Sequence, residues 1–150
     1  MDRFMRGLIA GLTGAIAMNL WSYFSFFVLK YSKMTFMQWA AILALGHKAA
    51  NAAEVIFAQA AQFTWAAVLG IIFAFLVPQI TSRDYLLKGA FWGFATGFLQ
   101  FVITKLFQVP GLETLPIGTA VSNAIGAIIW GLVMAQTLYL LDNKIEIKHD

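Results

Sequence analysis

The sequence predicts an all-α integral membrane protein, a four-helix bundle with a short interfacial or re-entrant helix between the first and second spans. Three observations predict it. Hydrophobic residues make up 61% of the chain and charged residues only 11%, with a mean hydropathy of +0.77. Soluble domains carry about 25% charged residues, so a water-facing surface of this composition would be too apolar to stay dispersed. The few charges are also placed so that long charge-free runs remain between them, and capping and turn residues stand between the runs.

A span needs about 20 apolar residues to cross about 30 Å of hydrocarbon. Three runs satisfy this: 23 residues between Arg6 and Lys30, 28 between Glu54 and Arg83, and 28 between Glu113 and Asp142. Only 16 residues separate Lys88 from Lys105, but Lys105 can snorkel from the last turn and lengthen the usable span. The expected spans are 7–29, 53–77, 88–108 and 116–141 in a single transmembrane domain, followed by a polar tail, 142–150. The basic start Met1–Arg6 before an apolar run has the form of a secretory signal. Its run is too long for a signal core and no small-residue cleavage site follows, so it is expected to be retained as the first span.

Each connection has its own chemistry. In the first, Thr35-Phe36-Met37-Gln38 matches a capping box, in which Thr35 accepts from the Gln38 backbone while Gln38 reaches back. The apolar stretch that follows, Trp39 to Leu45, is too short to span and stops at Gly46, so 35–46 reads as the interfacial segment. The second connection is tight, with Pro78 near the helix end and Thr81-Ser82-Arg83-Asp84 as turn and cap. The third, Val109 to Pro116, is a proline-bounded turn leading into a helix start.

Four spans put both termini on one side with the loop at Arg83. That side carries Arg3, Arg6, Arg83, Lys88, Lys144 and Lys148, against Lys30, Lys33, Lys48 and Lys105 opposite, which places the termini in the cytoplasm by the positive-inside rule. The net charge of +3 comes from scattered residues, not from a basic groove, so nucleic acid is not an expected partner. The chain has no cysteine, which excludes disulfides, thiolate nucleophiles and iron–sulfur clusters. His47 and His149 cannot form a paired-histidine metal motif. His47 and Glu54 would share a face only if both lay on one helix. No nucleophile elbow, Walker loop or zincin motif occurs. No catalytic residue, metal or cofactor is therefore expected, and the chain reads as a non-enzyme.

What remains is packing chemistry. Gly7, Gly11 and Gly14 form one small-residue face, Gly89, Gly93 and Gly97 a second, and Gly118, Ser122 and Gly126 a third. Such faces let helix backbones approach in lipid, either within the bundle or in a homo-oligomer. The Arg6-Gly7-Leu8-Ile9-Ala10-Gly11 pattern echoes Lys88-Gly89-Ala90-Phe91-Trp92-Gly93, and Ala67–Ala74 echoes Ile128–Ala135. A repeat of two helical hairpins in parallel orientation fits, with the loop helix inserted only in the first. Asn19, Gln59, Gln62, Gln100, Asn123 and Gln136 lie inside spans and should face the interior, because an unpaired amide is costly in hydrocarbon.

From the third span onward the chain resembles the YqhR-type family of small bacterial membrane proteins. The resemblance rests on the bulky run Phe98 to Phe107, the Pro110-Gly111-Leu112 turn, Gly118-Thr119 with Asn123, and the Leu138-Tyr139-Leu140-Leu141 end, together with a Gly-rich first span. It implies a multi-pass membrane protein with no assigned activity, while the Ala-rich first loop departs from that family's pattern. The expected role is a packing or assembly partner in a bacterial cytoplasmic membrane, touching the lipid bilayer and a membrane-protein partner or second copy; a small oligomeric transporter or channel is the alternative. Partner recognition is expected at the outer loops, through an exposed Trp39 and Glu113.

Overall fold

The computed structural model describes residues 1–80 and 84–146. The expected Thr81-Ser82-Arg83 turn and the tail residues Lys148 and His149 lie outside the described residues. The fold is all-α. Helix α1 (Arg3–Tyr23) continues through a π-helical turn, Phe24–Val28; α2 is Phe36–Leu45, α3 Ala52–Leu76 with a short 3-10 turn after it, α4 Tyr85–Leu106 and α5 Ile117–Glu146. Four of these are long and apolar enough to cross a membrane: Arg3–Val28, Ala52–Gln79, Tyr85–Leu106 and Ile117–Asn143. The chain is a multi-pass four-helix bundle. Its large exposed side chains are apolar, as at Leu20, Phe27, Phe91, Phe98 and Leu106, which suits a surface solvated by lipid.

Local chemistry sets the ends of the elements. Asp2 caps α1 through the Met5 backbone, and Asn51 caps α3 through that of Glu54. Helix α2 carries the expected capping box between Thr35 and Gln38, and it stops at Gly46, whose φ of +82° a side chain would resist. Asp84 stands at the N-cap of α4 but makes no capping bond with its side chain, which instead of stabilising the helix start stays exposed.

The hairpins α1–α3 and α4–α5 repeat one packing motif, residue for residue. A Cβ added to Gly7 would meet Ala74 and the Gly70 carbonyl; one added to Gly89 would meet Ala135 and the Gly131 carbonyl. Likewise Gly11 lies against Ala66, and Gly93 against Ala127. Each of these first-helix positions recurs 82 residues on and each of these second-helix positions 61 residues on, so the register is constant within each helix. The difference in offset is the α2 connection, present only in the first hairpin. All three glycine faces are occupied inside the molecule, the third by Tyr31, Phe36 and Trp21 against Gly118 and Gly126.

The two hairpins join on one side only. Helix α1 packs along α5, where Trp130 lies over Gly14 and donates its indole N–H to the Gly11 carbonyl at 3.1 Å. The equivalent pair, α4 and α3, makes no such close interface. These two helices approach through the rings of Phe73 and Trp92, 6.1 Å apart, and frame a gap beyond them.

At the end holding the termini, Asp142 on α5 accepts from Arg6 at 2.5 Å and from the Tyr85 hydroxyl at 3.1 Å, with Arg3 at 3.9 Å. One carboxylate thus ties α1, α4 and α5 together. At the opposite end α2 folds over the bundle. Trp39 is only 1% exposed and meets Phe101 edge-on at 5.4 Å in a cluster with Met34, Ile42 and Leu112. The expected exposed Trp39 is therefore corrected: its indole locks α2 to α4 and to the third loop instead of facing a partner.

Candidate functional site

The polar residues within the spans are the place to look for function, since each must find a partner or remain unsatisfied. Asn19 on α1 and Gln59 and Gln62 on α3 form one network. The Tyr23 hydroxyl donates to Gln59 Oε1 at 2.9 Å. Gln59 Nε2 donates to Asn19 Oδ1 at 3.2 Å and to Gln62 Oε1 at 2.8 Å. Asn19 Nδ2 donates to the Ala15 carbonyl and to Gln62 Oε1, both at 2.8 Å. Two donors thus converge on Gln62 Oε1 and fix the orientation of its amide. The other half of that amide, Nε2, is buried with no hydrogen-bond partner.

Gln62 also lines a cavity of about 360 Å³ in the gap between α3 and α4. Its inner wall is made by Met18, Phe36 and Trp130, and α2 borders it with Ala40, Leu43 and Ala44. Helix α4 supplies Thr96, Gly97, Gln100 and Thr104. The rim is apolar and open: Trp65 is 60% exposed, Leu99 54% and Leu43 47%. Gln62, Thr96 and Trp130 lie near the middle of the apolar helices that carry them, so the cavity opens between helices at mid-length and not at their ends.

Sequence equivalence explains why the gap persists. The position that holds Trp130 in the second hairpin holds Leu69 in the first, and the position of Gly14 in α1 is Thr96 in α4. Between α1 and α5 an indole settles on a glycine. Between α4 and α3 a smaller Leu faces a bulkier Thr, and both line the cavity without closing it.

The hydrogen-bonding character of the walls follows. The Thr96 hydroxyl donates to the Trp92 and Gly93 carbonyls, and that of Thr104 to the Phe101 carbonyl, so what these hydroxyls keep for other partners is acceptor capacity. Gln62 and Gln100 contribute amides from opposite walls. Among the described residues no charged side chain lines the space.

Of the other residues singled out in the sequence, Asn19 is buried as expected and Asn123 is buried on α5 away from the cavity. Gln136 is a correction, because it is exposed on the outer face of α5 and not turned inward. Glu113 is exposed on the third loop beside the buried Leu112. His47 and Glu54 do not share a helix; they stand 3.9 Å apart across the start of α3. Among the described residues no group of three His, Asp or Glu side chains converges as a metal site would require. Gly70 and Gly131, the second-helix partners of the glycine faces, were visible only as parts of the echo. Compared with protein-family models, curated proteins and solved structures, the chain has no significant match.

Proposed function

We propose that this chain is a non-enzymatic binding protein of a bacterial cytoplasmic membrane, with both termini in the cytoplasm, which holds a lipid-soluble molecule in the α3–α4 cavity. The observation that carries the reading is an intramembrane cavity of about 360 Å³ whose exposed rim is apolar. Ligand pockets begin at about 300 Å³. Packing forces in lipid ordinarily close helices on one another, so a mid-span gap with a mouth toward the acyl chains suits a ligand that arrives by lateral diffusion. An assembly role through the outer loops loses its main support with the burial of Trp39, and the glycine faces are already occupied within the bundle.

The test uses 1-bromododecane, an apolar quencher of tryptophan fluorescence, added to protein purified in mild detergent. Trp65 and Trp130 line the cavity and report its occupancy. Saturable quenching is expected in the wild type and should be lost in Ala61→Phe, which places a ring at a cavity wall. Quenching that rises without saturation and is the same in both proteins would overturn the reading.

A further inference from the structure

We propose that the cavity selects a neutral, lipid-soluble carbonyl compound, with the ligand's oxygen taken by Gln62. This rests on the cavity being a binding site, and it names the chemistry that the site reads. Gln62 Oε1 already accepts from Asn19 and Gln59, so the amide cannot be turned over without breaking both bonds. Its Nε2 is consequently a donor fixed in place, buried, and without a partner. A buried unsatisfied donor costs about 1–3 kcal/mol, and an acceptor arriving in the cavity that Gln62 lines would remove that cost once Nε2, which is covered in the empty cavity, is uncovered by a small shift of the wall.

The rest of the wall narrows the class. A carboxylate or phosphate would enter at mid-span with no cation to meet it, which hydrocarbon penalises heavily. A cation fares no better, since among the described residues no acidic side chain lines the space. A plain hydrocarbon would fill the volume but leave Gln62 Nε2 unsatisfied. A carbonyl oxygen accepts without bringing a donor of its own, whereas Thr96, whose hydroxyl proton is held by the Trp92 and Gly93 carbonyls, offers acceptor capacity for a hydroxyl if the ligand also carries one. At about 30 Å³ per water-sized group the cavity has room for about a dozen heavy atoms. That is a ring-bearing or short-chain carbonyl head, with any longer tail leaving past Trp65 and Leu99 into the bilayer. The oxygen of such a head would sit near the bilayer centre, a depth that the ester groups of a phospholipid do not reach.

Two quenchers of matched chain length test this: 1-bromododecane and 12-bromododecan-2-one, compared by tryptophan quenching in the purified full chain. In the wild type the ketone is expected to half-saturate at about tenfold lower concentration, and in Gln62→Met the two midpoints should coincide. The infrared carbonyl stretch of the bound ketone should move to lower frequency in the wild type, a shift that Gln100→Met retains and Gln62→Met abolishes. Equal midpoints for the two probes in the wild type, or an unshifted carbonyl stretch, would overturn the carbonyl inference. If the bromoalkane quenching is still saturable and still lost in Ala61→Phe, the binding reading survives that outcome. Both readings fall together only if neither probe saturates. Should Gln62→Met not fold, the wild-type comparison and its infrared shift decide the matter alone.

Discussion

Replacing Gly70 or Gly131 by alanine should destabilise the bundle, Gly131 the more severely, because a Cβ there would meet the Gly89 carbonyl oxygen more closely than any atom meets one at Gly70. A Cβ at Gly70 would sit 2.6 Å from Gly11 Cα, 2.6 Å from the Gly7 oxygen and 2.8 Å from the Gly11 nitrogen. Ordinary contact begins at 3.4 Å, and all three neighbours are backbone, so no rotamer change relieves the clash and the two helices must part by nearly 1 Å. Overpacking of this kind costs about 1–3 kcal/mol. Alanine returns about 1 kcal/mol through its better helix propensity, which leaves a net loss of up to about 2 kcal/mol. Leucine at the same positions carries a larger steric load and should prevent a monodisperse preparation. Phe98→Leu, on an exposed side chain, should change stability by less than about 0.5 kcal/mol. Unfolding by titrating a denaturing detergent into mixed micelles, followed by circular dichroism and tryptophan emission, measures all of these. If Gly70→Ala and Gly131→Ala both unfold at or above the wild-type midpoint, the close backbone contact at the centre of each hairpin is refuted.

Trp39→Ala should cost about 3–5 kcal/mol and lower the yield of folded protein, because it removes a buried indole from the contact with Phe101 and Leu112, while Glu113→Ala on the exposed loop should leave the midpoint unchanged; equal behaviour in a thermal dispersity assay would contradict that burial. Asp142→Asn should weaken the terminal end by about 1–3 kcal/mol, since Arg6 and Tyr85 lose a charged acceptor, and hydrogen exchange at the start of α1 should rise first. Reporter fusions should place Lys33 and Glu113 outside and the C-terminus inside, and a periplasmic reporter active at the C-terminus would reverse the orientation. The double variant Leu69→Trp with Thr96→Gly copies the Trp130–Gly14 contact into the second interface, so it should close the cavity and abolish saturable quenching at equal or higher stability; undiminished quenching would show that these two positions do not hold the gap open.

Much of the fold was legible because hydrocarbon imposes simple demands. Charge-free length marked three spans and a snorkelling Lys105 completed the fourth, and the Thr35–Gln38 box with Gly46 marked the short helix, since each depends on residues adjacent in the chain. Trp39 was misread for the complementary reason. Its burial depends on Phe101 and Leu112, more than sixty positions away, and nothing local to Trp39 encodes them. Gln136 failed on similar grounds: helical position says that an amide lies within a span, but only the arrangement of neighbours says which face looks inward. The site was half visible. Gln62 and Gln100 stood out as intramembrane amides, whereas Trp65, Thr96 and Trp130 are ordinary residues for a membrane helix and acquire meaning only from the space between them.

That space is best understood as a symmetry left unfinished. Two hairpins built on one motif would be expected to meet through two equivalent interfaces, α1 with α5 and α4 with α3. The first closes because Trp130 spans the gap to Gly11 and Gly14 and satisfies its indole on a helix carbonyl. The second keeps the same backbone register but exchanges the large residue for Leu69 and the glycine for Thr96, so neither the volume nor the hydrogen bond is reproduced. The amide network falls on the same side of the molecule. Gln62 occupies the position equivalent to Asn123, yet only Gln62 borders the open interface, and only it joins the network with Asn19 and Gln59 that fixes its amide. A change of volume at one pair of positions thus opens a mid-span cavity, and beside it stands Gln62, whose amide the network holds in a fixed orientation with an unpartnered donor.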